Sequence, residues 1–239
     1  MSLKLPIAMV AIDNVAHELT RMAIEDSLRQ IEPEQIIILT DAPNMVRVSG
    51  AEYHFFDGGY PAAMAALWHQ VPPLLMAPHM IWLQWDSWVL DAGQWADEFL
   101  QYDYIGAPWP CGEGSVWHQL GYRPGSNVGN GGFSLRSKAL AERLATEAYP
   151  LKFPEDDAIC RLYRGRLEMD GFAWAPEHVA QRFSVECALV TGPTFGYHNC
   201  AHWPRILPRE ALAERLRAAS PYALKNPALR SVMDWMAQK

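Results

Sequence analysis

Three consecutive carboxylates, Glu155, Asp156 and Asp157, follow Pro154, downstream of a glycine run, Val128-Gly129-Asn130-Gly131-Gly132. Carboxylates at the start of a helix stay ionised at neutral pH, so they can accept a substrate proton or hold a metal ion. First-turn acids also simply complement the helix dipole, which accounts for one or two of the three. Glycine and asparagine let a backbone turn tightly and approach a ligand closely. A second group is Gln84-Trp85-Asp86-Ser87. Gln84 and Asp86 are two apart, so in an extended chain both face one side. Asp86 is the first carboxylate after an apolar stretch that begins at Leu74, and a charge there needs a partner, a metal or solvent. His198, near the end of the chain, is a candidate second ligand to a divalent cation held by Asp86. His198, Cys200 and His202 also allow a structural zinc site, but four ligands are usual, and the surrounding glycines and Trp203-Pro204 suit a loop.

These groups need elements to carry them. Leu5 to Ile12 reads as a buried strand, His17 to Gln30 has helical apolar spacing, and Ile36 to Leu39 is a second β-branched strand. Strand, helix, strand in so short a stretch points to an α/β fold with a parallel sheet. Tyr53 to Phe56 and His79 to Leu83 continue the strand series, with a helix over Pro61 to Leu75, interrupted by Pro72, between them. Three of these strands run into carboxylates, Asp13, Asp41 and Asp57, and in open α/β sheets ligands sit beyond the carboxyl ends of the strands. Capping and turn formation explain such aspartates one at a time.

Further on, a helix is expected over Asp91 to Leu100, a strand over Asp103 to Trp109, and a long loop over 110–127 that could cover a pocket. The glycine run is neither a dinucleotide fingerprint, whose third glycine would fall on Ser134, nor a Walker A loop, because no Gly-Lys-Ser/Thr closes it. It leads into a strand, Phe133 to Arg136, and a helix capped by Ser137 that runs to Glu147. Asp157 to Tyr163 reads as helix, Trp174 to Ala180 as a connector, Phe183 to Val185 as a strand and 192–203 as loop. Helices over Glu210 to Ala219 and Asn226 to Gln238 form a C-terminal tail.

Composition narrows the function. The formal net charge is −7 in 239 residues, so the electrostatic footprint of a nucleic-acid binder is missing. An acidic chain can still take a nucleoside diphosphate if it recruits a divalent cation. Four cysteines without a CxxC pair read as reduced thiols of a cytoplasmic protein. No apolar run reaches membrane-spanning length, and the N-terminus lacks a signal-peptide pattern. The ten tryptophans suit packing and stacking on sugars or bases alike.

In combination, QWDS (Gln84 to Ser87), DYIGAPW (Asp103 to Trp109), VGNGGFSLRS (Val128 to Ser137), PEDD (Pro154 to Asp157) and FGYH (Phe195 to His198) resemble the DUF5672 family, which is grouped with GT-A-like glycosyltransferases. The resemblance runs from Leu5 to Trp203 and rests on the combination, each motif alone being weak. It implies a Rossmann-like GT-A fold, with a mixed, mostly parallel sheet flanked by helices over 1–205 and a helical extension of the same domain over 206–239. It implies transfer of a sugar from a nucleotide-sugar donor to a hydroxyl of a glycan or other acceptor, with inversion favoured if a carboxylate is the base. Donor contacts are then expected from Asp13, Asp41, Asp57, Gln84, Asp86 and Ser87. Gln-x-Asp stands where the fold usually carries Asp-x-Asp, which leaves two readings: Mn²⁺ or Mg²⁺ held by Asp86 and His198, or a donor site without metal. Glu155-Asp156 matches the family's base motif, so Asp156 is the expected base, with Asp157 in reserve and Glu155 beside them. Trp109, Asn130, Gly131 and Gly132 are expected to line the sugar pocket. The rival readings are a non-catalytic nucleotide- or sugar-binding protein on a degenerate scaffold, and a metal-dependent hydrolase.

Overall fold

The computed structural model describes residues 2–188, 192–221 and 226–238. Nine strands are described: β1 (Leu3–Ile12), β2 (Ile31–Thr40), β3 (Glu52–Phe55), β4 (His79–Leu83), β5 (Ser87–Val89), β6 (Tyr104–Ile105), β7 (Phe133–Ser137), β8 (Ser184–Val185) and β9 (Gly196–His198). Six form the main sheet in the order β3-β2-β1-β4-β7-β6, and β5-β9-β8 form a small second sheet. β3, β2, β1 and β4 run parallel, while β7 pairs antiparallel with both β4 and β6.

The central strands are buried on both faces, as parallel strands covered by helices must be. Along β1, Leu5, Ile7, Met9 and Ala11 join one apolar cluster, and Ala8, Val10 and Ile12 join the other. The helix His17–Gln30 contributes Leu19, Ala23 and Ile24 to the first, and the helix Tyr60–His69 contributes Met64, Ala66 and Leu67 to the second. The same larger cluster contains Leu212, Leu216, Leu229 and Val232 of the two C-terminal helices, Arg209–Ala219 and Pro227–Ala237.

Several expected elements take another form. The helix expected over 91–100 is two 3-10 segments, Ala92–Gln94 and Asp97–Gln101, because the Asp91 side chain accepts from Gly93 N and the backbone opens at Trp95 and Ala96. The strand expected over 103–109 pairs only at Tyr104–Ile105 and then through an isolated bridge from Pro108 to Val128. Gly106 breaks it: a methyl there would stand 1.6 Å from the Gly129 carbonyl oxygen. The connector expected over 174–180 includes a helix, Glu177–Phe183, and the loop at 192–203 contains β9. The helix expected to be interrupted at Pro72 ends at His69, and Pro72–Leu74 form a 3-10 turn. Ser137 does cap the helix Lys138–Leu144, accepting from Leu140 N. Among the described residues no helix is long and apolar enough to cross a membrane.

Candidate active site

Strand register brings the separated motifs together. Leu83 pairs with Phe133 across β4 and β7, so Gln84 N donates to the Gly132 carbonyl at 3.1 Å. Ser87 pairs with His198 across β5 and β9, which puts Asp86 beside the imidazole. Val185 pairs with Tyr197 across β8 and β9, which carries Glu186 to the same ring. The glycine pair lies in the middle. A methyl on Gly131 would fall 2.4 Å from Glu155 Oε1, and one on Gly132 would fall 2.3 Å from His198 Nε2. A methyl on Gly129 would strike the Trp109 ring at 2.2 Å. Close approach is therefore required, but towards the protein's own side chains. Asn130, at φ 50°, turns the chain between them.

The three carboxylates of the acidic triplet have different partners. Glu155 is buried and pairs with buried Arg136 at 2.9 Å. Tyr60 donates to its other oxygen at 3.4 Å. Asp157 accepts from Arg161 Nε at 2.7 Å and from the Tyr122 hydroxyl at 2.8 Å. Burial alone would raise its pKa, but those bonds hold it below the usual carboxylate value. Asp156 faces no cation. Its oxygens accept from Gly131 N at 3.0 Å and Asp157 N at 2.9 Å. Burial, reinforced by the Glu155 charge, outweighs these two amides and lifts its pKa to about 7.

His198 lies between two carboxylates. Its Nε2 is 3.4 Å from Asp86 Oδ1 and its Nδ1 is 3.2 Å from Glu186 Oε1. Burial opposes the imidazolium, yet Asp86 and Glu186 outweigh it and push the pKa up to about 10. The Nδ1 also lies 2.9 Å from the Asn130 amide. Glu186 accepts from Trp109 Nε1 at 2.9 Å; burial would raise its pKa, but His198 and Trp109 bring it below the ordinary value. Asp86 accepts from Cys200 N through Oδ2, at 3.2 Å. Asp86 Oδ1 is in ion-pair range of His198 but has no aligned hydrogen-bond partner.

The other expected residues divide. Asp13 and Gln84 line a cavity of about 230 Å³ at the carboxyl ends of β1 and β4, together with Tyr60 and Trp85. Asp41 and Asp57 follow β2 and β3, progressively further along the sheet, and do not line it; Asp41 pairs with His17 at 2.7 Å and Asp57 is exposed. Ser87 is fully buried and donates to the Gly132 carbonyl at 2.8 Å, so its hydroxyl fixes backbone. Trp109 is buried under Trp117, the rings stacked 4.4 Å apart at 2°. That stack anchors the 110–127 segment, whose short helix Val116–Gln119 is capped by Ser115. Asn130, Gly131 and Gly132 are buried as well. His198, Cys200 and His202 do not converge: His202 Nε2 lies 2.6 Å from the Glu186 carbonyl while His198 faces Asp86. Among the described residues no three His, Cys, Asp or Glu side chains are grouped to hold a metal ion. Sequence reasoning missed Arg136, Glu186 and Tyr60. Arg136 had a signal, as the single cation in a strand otherwise fit for burial.

A mixed sheet with one reversed strand, helices on both faces and an acidic site at the carboxyl edge of its parallel part is the architecture of GT-A glycosyltransferases. Residues 62–198, more than half of the chain, match the family described as a protein of unknown function, DUF5672, and the chain belongs to that family. No protein of curated function matches it. Among solved structures it is similar to the galactosyltransferase LgtC in complex with donor and acceptor sugar analogues. That likeness has a TM-score of 0.56 and 16% identity, and covers 90% of this chain and 96% of that one. It is also similar to the mannosyltransferase PcManGT from Pyrobaculum calidifontis in complex with GDP-Man and Mn²⁺, with a TM-score of 0.50 and 12% identity, over 96% of this chain and 68% of that one. At these identities the likeness establishes the fold.

Proposed function

We propose that the protein is a glycosyltransferase that moves a sugar from a nucleotide-sugar donor to an acceptor hydroxyl, with Asp156 as the general base. One observation carries the reading: Asp156 alone in the acidic triplet has no cationic partner, and its pKa of about 7 suits proton abstraction near neutrality. Glu155 and Asp157 are paired with Arg136 and Arg161, and the Asp157 and Gly131 amides hold Asp156 in place. A base acting on the attacking hydroxyl implies direct displacement with inversion. We assign the cavity at Asp13 and Gln84 to the donor, and to the 110–127 segment, which Tyr122 ties to Asp157, the exclusion of water from the reacting bond.

Asp86 and His198 would offer a divalent cation, Mn²⁺ or Mg²⁺, two ligands, once His198 gives up a proton and the donor's phosphates complete the set. Asp86 Oδ1 is a buried oxygen without a donor, His198 Nε2 faces it, and Glu186 stands behind Nδ1 as an orienting carboxylate does behind a metal-bound histidine. Such a cation, when bound, offsets the charge that develops on a leaving diphosphate. We read 206–239 as an extension of the same domain. We place the protein in the cytoplasm, where an exposed thiol such as Cys187 stays reduced.

The test is Asp156→Asn. Transfer is expected to fall about 10²–10⁴-fold with nucleoside diphosphate binding kept. Wild-type kcat/KM is expected to rise with pH to a plateau above about 7, because the base must lose its proton to act. Full turnover by the variant, or a product of retained anomeric configuration, would remove Asp156 from this role. A non-catalytic binder is the second reading, favoured by Gln84 at the first position of Gln-x-Asp. It predicts nucleotide binding without release of diphosphate when acceptor is added.

A further inference from the structure

Among the described residues, the exposed aromatic side chains are Phe55, Tyr60, Phe153 and Trp235. Of these, only Tyr60 and Phe153 pack ring to ring, with centroids 6.4 Å apart and planes tilted by 54°. They are 53% and 51% exposed. Exposed apolar groups are ordinary one at a time, but two joined rings at the edge of a reaction centre form a surface for a ligand to cover.

The place of the pair is fixed at both ends. Tyr60 opens the helix Tyr60–His69 and lines the cavity shared with Asp13 and Gln84. Its hydroxyl donates to Glu155 Oε2 at 3.4 Å, so the side chain spans from the cavity wall to the acidic triplet. Burial, then the charges of Glu155 and Asp156, raise the pKa of that hydroxyl and keep it a donor. Phe153 stands two residues before Glu155 and does not line the cavity. The ring pair thus begins at the cavity wall and ends outside it, beside the triplet that holds Asp156.

We infer that Tyr60 and Phe153 form a platform for the acceptor, and that the acceptor is a pyranoside. A pyranose carries C–H groups on a face of its ring and hydroxyls around the rim. Such a face laid on the two rings is desolvated against aromatic carbon. The rim hydroxyls stay outside that contact, and one of them can come within hydrogen-bond reach of Asp156, as a general base requires. The Tyr60 hydroxyl, already given to Glu155, leaves the apolar part of the ring as the surface on offer. A simple alcohol or a serine side chain brings a hydroxyl but no C–H face, and leaves the rings wet. The donor is assigned to the cavity, which Phe153 does not line, so the ring pair falls to the second substrate. The inference rests on the proposed transferase reading and adds the class of acceptor to it.

The experiment is saturation-transfer NMR with affinity titration, on the full chain with Mg²⁺ and saturating UDP or GDP in turn. The probes are the methyl pyranosides of glucose, galactose and mannose, set against butanol and N-acetylserine methylamide. At least one pyranoside is expected to bind about tenfold or more tightly than either non-sugar alcohol, with saturation concentrated on the C–H protons of one ring face. Phe153→Ala and Phe153→Leu are each expected to weaken that pyranoside by about fivefold or more, since leucine keeps apolar bulk but no ring, and Phe153→Tyr to recover it. Tyr60→Ala is expected to weaken it as well. Nucleoside diphosphate affinity, measured by calorimetry, is expected to change by less than about twofold in the Phe153 variants, whose site is half-exposed and outside the cavity. Equal binding of the non-sugar alcohols, wild-type pyranoside affinity in Phe153→Ala and Phe153→Leu, or no pyranoside binding beside either nucleotide overturns the platform and leaves the transferase reading standing. Loss of nucleoside diphosphate and pyranoside affinity by the same factor gives the rings to the donor and overturns the acceptor assignment. Binding of neither nucleoside diphosphate nor pyranoside overturns both readings.

Discussion

Side-chain pairing decides what each carboxylate can do. Asp157 sits in a tight arrangement with Arg161 and Tyr122, and its pKa is lowered. A carboxylate with a depressed folded-state pKa adds stability above its unfolded value, near 3.8, and loses it as pH falls through the folded value. Asp157→Asn is therefore expected to cost about 1–2 kcal/mol at pH 7 by chemical denaturation, with the gap from wild type closing below about pH 3.8. A pH-independent gap would point to shape and not charge. At this scale the sequence was half legible. The triplet itself was conspicuous, and Asp157 with Arg161 has the i,i+4 spacing of a helical ion pair, but the pairing of Glu155 with Arg136 does not follow from spacing, so which member stays unpaired was not legible. Glu186 was invisible, because Ser-Val-Glu-Cys reads as the end of any short strand until β8 is seen beside β9.

Among the elements, the glycine run is a place of close approach, and the groups that approach it are the protein's own side chains. Glycine's tolerance of close approach was legible; that the approaching groups are Glu155, His198 and Trp109 was not, because they are distant in sequence. Gly132→Ala is expected to displace His198 from between Asp86 and Glu186 and to destabilise the fold by about 2 kcal/mol. Gly112→Ala, with nothing within 4 Å of the added methyl, is expected to change stability by less than about 0.5 kcal/mol. Similar losses for both in a denaturant titration would mean that the tight contact at Gly132 relaxes freely. Strong periodicity gave the strand His79–Leu83 and the helix His17–Gln30 at their observed ends. It misled over 91–100, where Trp95 and Phe99 pack ring against ring although the backbone opens at Trp95 and Ala96 between the two 3-10 segments.

Across the whole molecule, one buried cation joins the C-terminal helices to the sheet domain. Arg215 lies 3.8 Å over the Trp88 ring, pairs with Asp26 of the helix His17–Gln30 and also faces Trp203. Arg215→Ala is expected to cost about 3 kcal/mol, at the low end for breaking a buried pair, since Asp26 keeps Arg29 and some solvent. If 206–239 belongs to the same domain, the variant unfolds in one transition at a lower denaturant midpoint, with tryptophan fluorescence and far-UV signal coincident; two separated transitions would split off the tail. The glycine strip has a consequence of its own. It is held downstream by five registered pairs between β4 and β7, and upstream by the Pro108–Val128 bridge and the Tyr104 hydroxyl on the Asn130 carbonyl. The 110–127 segment leaves and returns at that upstream clamp, outside the fixed span. The chain thus divides into an anchored frame and a visor whose exposed positions can be rewritten, while Trp117 and Tyr122 must stay because they pack on Trp109 and hold Asp157.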